Sequence, residues 1–512
     1  MRTKYSMINM IFGVGGHVLN MVLAFVSRMI FIRYLDAAYL GVSGLFSDIL
    51  GMLNLAELGI GSAMIFSMYK PAALDDHEQL GKLMNLYKLM YRLVAAFVLA
   101  AGLCLLPFLN VLIKGDPGIE HLRLIYLMYL GNSVSSYLLS YKNSILLAYQ
   151  KAYVRTVVEQ IAHAVQIVLQ VVVLIVTQNF QLYLLLQILT QISINLVVSR
   201  RVDKEFPYLK DEKRLPSKEE RSGIMKNILA LSMHRLGSAV VNSTDNLLMS
   251  AFVGLTSVGI YSNYKLVIKS LGDLLNKVYT AFTGSIGNLG ATQDPEYIYR
   301  IYKQLDFFLF LLFGYFSAGM VVLFNPFIKL MFGEEYLFSQ AVVIIVVVQF
   351  YITGMRQINL QFREAMGLFW YDRYKPVAES IINLVVSILL VQRYGVAGVF
   401  LGTIVSTMTT CFWVEPYILM KYGLKEQWQE KLRDYFIEYG RRALTVVGGS
   451  IVGLCFTGGM QDSFLWFILK GILFTVEYAA LIFLTYGRSE EFEALLEHGK
   501  NFLKQHLDRK KT

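Results

Sequence analysis

Long apolar stretches recur along almost the whole chain, and they constrain its fold more than any other feature. A helix that crosses a bilayer needs about 20 mostly apolar residues, and such stretches follow one another from Ile8 to Tyr486 with short polar breaks. A closed β-barrel would need segments of about 10 residues with alternating polarity, whereas the run Ala341–Val348 is apolar on both faces. The chain is 55% hydrophobic and 16% charged, which is far more apolar than a soluble protein. We therefore expect an all-α polytopic membrane protein.

The apolar stretches predict about fourteen transmembrane helices, grouped as two six-helix lobes and a C-terminal helix pair. The longest charged interruption follows the sixth predicted helix and divides the chain. The predicted parts are an N-terminal lobe at 1–200, a linker at 201–222, a C-terminal lobe at 223–420, and a loop, helices 13 and 14 and a tail at 421–512. A weak internal repeat relates the lobes, because Leu40-Gly41-Val42 and Val258-Gly259-Ile260 follow similar short turns. Internal repeats are a common plan of transporters.

Lysine and arginine are distributed unequally between the two sides of the predicted topology. Most of the 47 basic residues lie on the side that holds the N-terminus, the linker, residues 421–442 and the tail. The positive-inside rule makes that side cytoplasmic, so both termini are expected in the cytoplasm and the chain in the cell membrane. This topology explains the net charge of +10 better than nucleic-acid binding does, since no basic recognition motif is present.

Basic side chains inside the predicted C-terminal lobe are candidates for a substrate site, because charge in hydrocarbon is expensive and is usually functional. Arg235 and Asn242 share one stripe of the seventh predicted helix, Lys265 and Lys269 lie on the eighth, and Arg356 lies on the tenth. Arginine and lysine are the usual partners of phosphate. The pattern predicts a substrate that carries negative charge, such as a phosphate compound, and makes these five residues candidates for its binding site.

Other charged residues in the spans leave two interpretations open. Asp48, Glu57 and Asp245 are candidates for ion coupling, but interhelical hydrogen bonding is an alternative for each of them. Asp273 lies four residues after Lys269 and is able to neutralise it in a packed interface.

Signatures of enzymes are missing from the sequence. It contains no HExxH, GxSxG or GxxxxGK[ST] motif, which would indicate a metalloprotease, a hydrolase or an ATP-binding loop. We therefore expect a protein that is not an enzyme and that uses no cofactor and no metal site.

A resemblance to a known family rests on residues 28–64, RMIFIRYLDAAYLGVSGLFSDILGMLNLAELGIGSAM. The positions that carry it are Arg28, Leu35, Gly41, Leu58, Gly59 and Gly61, with further matches at 325–328, 332–333 and 394–399. This pattern resembles the polysaccharide-unit flippases of the multidrug/oligosaccharidyl-lipid/polysaccharide exporter superfamily.

The resemblance implies a function for the whole chain. It implies translocation of an undecaprenyl-diphosphate-linked oligosaccharide across the cytoplasmic membrane, by alternating access, for a capsule-like or O-antigen-like polymer. It also implies that the five substrate-site candidates of the predicted C-terminal lobe belong to a cavity for the pyrophosphate and the sugar. The implied partners are the lipid-linked oligosaccharide, the bilayer, a polysaccharide polymerase and glycosyltransferases. Two alternatives stay open: a multidrug or lipid II exporter of the same superfamily, and a membrane polysaccharide polymerase or ligase.

Overall fold

The structure is a computed structural model in which every regular element of the described residues is a helix. The described residues are 22–57, 60–114, 118–149, 151, 153–210, 212–280, 286, 294–368, 371–461 and 463–497. Within these ranges some helical positions are described by their backbone alone, and the longest such run is 229–243.

The chain divides into two compact units, Met1–Gly259 and Ile260–Thr512. The helices that begin in the first unit are α1 (22–34), α2 (Ala37–Leu53), α3 (Ile60–Ala73), α4 (His77–Leu105), α5 (Leu122–Tyr137), α6 (Tyr153–Thr177), α7 (Phe180–Glu205), α8 (Lys218–Phe252) and α9 (Leu255–Thr280). Only the first residues of α9 belong to this unit. The predicted lobe boundary at 201–222 falls inside the first unit, where α8 packs on α2 and α3.

The second unit begins inside α9 and continues to the end of the described chain. Its further helices are α10 (Pro295–Phe332), α11 (Gln340–Met355), α12 (Gln357–Ala365), α13 (Lys375–Tyr394), α14 (Val396–Thr409), α15 (Cys411–Ile418), α16 (Trp428–Thr457) and α17 (Phe464–Tyr486). A last helical segment follows at 490–497.

Helix α6 shows why these helices belong in a membrane. Val157, Ile161, Val165 and Val172 are 40–62% exposed along one side of it, whereas Gln170 is buried. An apolar outer face of this kind is unfavourable in water and favourable against lipid. Eight helical stretches of the described chain are long and apolar enough to cross a bilayer.

The two glycines of the predicted repeat meet in the first unit. A side chain at Gly41 would overlap the backbone oxygen of Leu255, and a side chain at Gly259 would overlap that of Ala37. Each glycine therefore contacts the residue four positions before the other one, so the contact is reciprocal. Small residues allow such close approach of helix backbones, which gives both glycines a packing role.

The linker segment, residues 206–217 between α7 and α8, is docked on the first turns of α4. The ring of Tyr208 stacks on His77 with centroids 4.0 Å apart, and the side chain of Asn85 donates a hydrogen bond of 2.8 Å to the carbonyl of Glu212. Arg214 pairs with Glu78 at 3.0 Å. The two ends of the predicted linker thus belong to α7 and α8, and the segment between them packs on α4 within the first unit.

Candidate functional site

Two helices of the first unit are interrupted next to each other. The sequence predicts one span at 38–68, but α2 ends at Leu53 and a 3-10 turn, Asn54–Glu57, follows it. It also predicts one span at 121–147, but α5 ends at Tyr137, and Leu139 adopts a φ of 65° before the next turn. A leucine in the left-handed region is strained, and strain of this kind concentrates at functional sites. Interrupted helices are also typical of transporter binding sites.

The interruptions line a polar cavity of about 540 Å³, which we call the tyrosine cavity. Its walls carry hydroxyl, amide, carboxylate and guanidinium groups and few apolar side chains. They are formed by Asn54, Glu57, Gly61, Ile65, Tyr87, Tyr91, Ser136, Tyr137, Ser140, Asn143, Ser144, Leu147, Arg155 and Gln191. Groups of these types bind the hydroxyls of a saccharide through hydrogen bonds and contact its ring faces through aromatic rings.

Glu57 accepts hydrogen bonds from tyrosines in this cavity. The hydroxyl of Tyr91 donates to the Glu57 carboxylate, and the hydroxyl of Tyr87 donates to that of Tyr91 at 3.0 Å. Tyr137 lies beside the same carboxylate. Arg155, which also lines the cavity, is paired with Glu159 at 2.5 Å. Glu57, a predicted ion-coupling residue, is therefore held in a hydrogen-bonded chain that faces a polar cavity.

A second cavity of about 540 Å³, the cationic cavity, adjoins the first one and shares Tyr91 and Tyr137 with it. Its lining is Lys88, Tyr91, Arg92, Ser135, Tyr137, Leu138, Leu139, Tyr141, Lys142, Ile192, Asn195 and Leu196. Lys142 is paired with Asp203 at 2.6 Å. Lys88 and Arg92 have no ion-pair partner within the described part of the chain.

Part of the wall of the cationic cavity is apolar and consists of Leu138, Leu139, Ile192 and Leu196. Leu138 is 52% exposed and Leu196 is 39% exposed, and in a membrane protein such leucines face lipid. The cavity thus combines two basic side chains that lie one helical turn apart, Lys88 and Arg92, with an apolar rim. This arrangement suits a phosphate group that is attached to a lipid chain.

Sequence reasoning missed Lys88 and Arg92 because they lie near the start of the predicted span 86–113, where basic residues usually reach the membrane surface. Their spacing of four residues, which places both on one helix face, was the available signal. The spacing alone does not reveal that the other residues lining the cavity leave the charges of Lys88 and Arg92 uncompensated.

Arg356, a predicted substrate contact, lies in a buried ion cluster of the second unit. Its guanidinium donates two hydrogen bonds to Glu415, at 3.0 and 2.7 Å, and lies 3.5 Å from Glu379. Lys375 also binds Glu415 and lies 3.4 Å from Asp372. The cluster consists of Arg356, Arg363, Lys375, Asp372, Glu379 and Glu415. Its positive and negative charges are equal in number, so the fold itself neutralises Arg356.

The other predicted site residues lie on the helices α2, α8 and α9. Lys269 is paired with Asp273 at 2.8 Å on an exposed part of α9, as the alternative interpretation proposes. Lys265 is partly buried on the same helix, Asp245 is buried on α8, and Asp48 is partly buried on α2. The side chains of Arg235 and Asn242 lie outside the described residues, although α8 runs through both positions.

Solved structures share this arrangement of helices. An inward-facing multidrug resistance MATE family transporter of the MOP superfamily matches with a TM-score of 0.63 and 16% identity, over 80% of this chain and 96% of that chain. The lipid II flippase MurJ in an inward closed conformation matches with a TM-score of 0.59 and 13% identity, over 92% of this chain and 99% of that chain. A MOP superfamily transporter from Pyrococcus furiosus matches with a TM-score of 0.52 and 14% identity, over 80% and 94%. The chain has the fold of these transporters.

The predicted fold class, an all-α polytopic membrane protein with about fourteen helices, is thereby confirmed. No protein-family model and no curated protein matches the sequence. At identities of 13–16% the likeness concerns the fold alone, so the substrate must be argued from the cavities.

Proposed function

We propose that this protein is a flippase that moves an undecaprenyl-diphosphate-linked oligosaccharide from the inner to the outer leaflet of the cytoplasmic membrane. The observation that carries the proposal is the pairing of the two cavities in the first unit. A saccharide-compatible cavity adjoins a cationic cavity with an apolar rim, in the order of the parts of a lipid-linked sugar: glycan, phosphates, lipid.

The glycan is assigned to the tyrosine cavity. Its hydroxyl and amide groups are able to donate and accept hydrogen bonds, as a sugar requires. Glu57 serves here as an acceptor that Tyr91 orients. A drug exporter that binds cations would use the same carboxylate, but it would gain nothing from the two adjoining basic residues.

The diphosphate is assigned to Lys88 and Arg92 in the cationic cavity. An anion that enters there forms charge-assisted hydrogen bonds with groups that the fold leaves unpaired, so no existing ion pair has to be broken. The assignments of Arg235, Lys265, Lys269, Arg356 and Asn242 to substrate binding, and of Asp48, Glu57 and Asp245 to ion coupling, stay as predictions from the sequence.

In the proposed cycle, the lipid chain stays in the bilayer while the polar part of the substrate occupies the cavities, and the protein alternates between inward and outward access. The proposed orientation has both termini in the cytoplasm. A polysaccharide polymerase and glycosyltransferases are the proposed partners, since one consumes the flipped unit and the others build it.

The test is transport in liposomes that contain the purified full-length protein. A fluorescent undecaprenyl-diphosphate oligosaccharide is placed in the outer leaflet, and its movement is followed by protection from a membrane-impermeant quencher. We expect Arg92→Gln to slow transport about tenfold or more, because a hydrogen bond to a charged group contributes about 1.5–3 kcal/mol. Arg123→Gln is the matched control, since Arg123 is exposed at the start of α5 and lines neither cavity.

Competing substrates distinguish the alternatives. Lipid II shares the lipid diphosphate, so preferential transport of lipid II over the oligosaccharide carrier would assign the glycan specificity to a lipid II exporter. Transport of an organic cation without transport of either lipid would refute the flippase proposal and support a drug exporter. Equal transport by the wild type and Arg92→Gln would remove the cationic cavity from the mechanism.

A further inference from the structure

A third cavity, of about 310 Å³, lies in the second unit, apart from the ion cluster around Arg356. It is bounded by the first turns of α10, the first half of α16 and the segment that follows α17. The lining residues are Tyr299, Tyr302, Lys303, Asp306, Asp434, Tyr435, Ile437, Glu438, Arg441, Arg442, Ser489 and Glu491. Nothing in the proposed transport cycle uses this cavity.

The floor of the third cavity holds a buried ion pair with unused hydrogen-bonding capacity. Arg442 and Asp306 are 3% and 4% exposed and are paired through one guanidinium nitrogen and one carboxylate oxygen. The Nε of Arg442 and the Oδ1 of Asp306 have no hydrogen-bond partner among the described residues. Buried polar atoms are almost always partnered. The two atoms therefore indicate a ligand that offers an acceptor to Arg442 and a donor to Asp306.

The rim of the cavity carries both signs of charge. Lys303 lies 3.6 Å from Glu491, and Arg441 lies 3.1 Å from Glu438. Asp434 adds a further carboxylate. The rim thus holds two basic and three acidic side chains, so a simple anion would meet three like charges and a simple cation would meet two. A ligand with a positive and a negative group a short distance apart satisfies both sets, as the buried pair also requires.

An exposed apolar stripe continues from the cavity along α16. Ile437 lines the cavity and is 59% exposed, and Leu444 and Ile451, seven and fourteen residues later, are 72% and 56% exposed. A spacing of seven residues keeps these side chains on one helix face. An acyl chain is able to lie along this stripe while a headgroup occupies the cavity.

We propose that this cavity binds a zwitterionic phospholipid with a primary amine, that is, a phosphoethanolamine headgroup. The phosphate accepts hydrogen bonds from the Nε of Arg442 and from Arg441, and the ammonium donates to the Oδ1 of Asp306 and to Glu438. The acyl chains lie along Ile437, Leu444 and Ile451. In the predicted orientation this end of the unit is at the inner leaflet, and the inference does not depend on the proposed substrate of transport.

The experiment measures lipid binding to the purified full-length protein in detergent. Thermal unfolding and native mass spectrometry are recorded with phosphatidylethanolamine, phosphatidylcholine and phosphatidylglycerol of identical chains, and with soluble phosphoethanolamine. We expect phosphatidylethanolamine to raise the melting temperature most. Phosphatidylcholine lacks N–H donors and phosphatidylglycerol lacks the positive charge, so both should bind more weakly.

Variants of the rim avoid disturbing the buried pair. Arg441→Gln and Glu438→Gln should each weaken binding of phosphatidylethanolamine about tenfold, the effect of one lost charge-assisted hydrogen bond. Arg393→Gln and Glu430→Gln are the matched controls, because Arg393 on α13 and Glu430 on α16 are exposed and do not line the cavity.

The remaining outcomes overturn the inference. Equal stabilisation by phosphatidylglycerol and phosphatidylethanolamine would show that the headgroup is not selected. Rim variants that bind as the wild type does, or controls that lose as much as the rim variants, would remove the lipid from this cavity. Stabilisation by soluble phosphoethanolamine that equals that of the lipid would assign the site to a soluble zwitterion and refute the role of the apolar stripe.

Discussion

Replacement of Arg356 by glutamine separates a structural role of this residue from a role in substrate binding. In the wild type, Arg356 forms two hydrogen bonds with Glu415, whose side chain is only 1% exposed. The substitution leaves that carboxylate buried with Lys375 as its single basic partner. Removal of one member of a buried ion pair lowers the free energy of unfolding by about 3–5 kcal/mol. Because Lys375 still partners the carboxylate, we expect a loss near the lower end of this range, at about 3 kcal/mol.

The size of the effect makes it measurable by thermal unfolding in detergent. A destabilisation of 1 kcal/mol lowers the melting temperature by about 2–4 °C for a unit of this size, so we expect a decrease of roughly 6–12 °C. Arg393→Gln is the control, since Arg393 is an exposed arginine near the end of α13. It should change the melting temperature little, because surface substitutions usually stay within about 0.5 kcal/mol.

A double-mutant cycle tests whether the loss arises from the pair. The variant with both Arg356→Gln and Glu415→Gln should be more stable than the sum of the single effects predicts, by about 2 kcal/mol. A melting temperature of Arg356→Gln equal to that of the wild type, together with loss of transport, would refute this reasoning and support the predicted role of Arg356 in substrate binding.

Two further predictions concern the first unit. Gly41→Ala should lower the melting temperature by the equivalent of about 1–3 kcal/mol, because the new methyl group overlaps the backbone of Leu255. Gly51→Ala on the same helix is the control, since its methyl group meets nothing within 4 Å and should not lower the melting temperature. Equal decreases for both variants would disprove the close contact. The hydrogen bond from Arg214 lowers the pKa of Glu212 to about 2, below its unfolded value of about 4.3. The contribution of the Glu212–Arg214 pair to the order of the linker segment should therefore be fully present above about pH 4.3 and be lost as the pH falls toward 2. The rate at which pepsin cleaves the linker should rise in the wild type as the pH falls through that window, and Glu212→Gln should lose this pH dependence. A wild-type cleavage rate that is constant from about pH 4.5 to 2 would contradict the prediction.

The sequence predicts the helices well because a membrane-spanning helix is determined by the length of one continuous apolar segment, which is a local property of the chain. Spans such as 463–486 agree with α17 (Phe464–Tyr486) almost residue for residue. The helix interruptions were missed since 54–57 and 138–142 contain no proline or glycine, which are the usual signals of a break. Leu139 adopts a positive φ, and the sequence gives no reason to expect this of a leucine.

The candidate site is harder to predict than the fold because it depends on which charged side chains the fold leaves without a partner. An intramembrane cation attracts a substrate only if the fold leaves it unpaired, and pairing depends on residues distant in sequence: Arg356 meets its partner 59 positions away. The basic surplus counted in the second half of the sequence therefore overestimates the positive charge that a ligand would meet there. The same count of charges gives little weight to Lys88 and Arg92. Both residues nevertheless line a cavity, and within the described residues neither has an ion-pair partner. Our proposal for the substrate site therefore rests on uncompensated charge beside an interrupted helix rather than on charge inside a span.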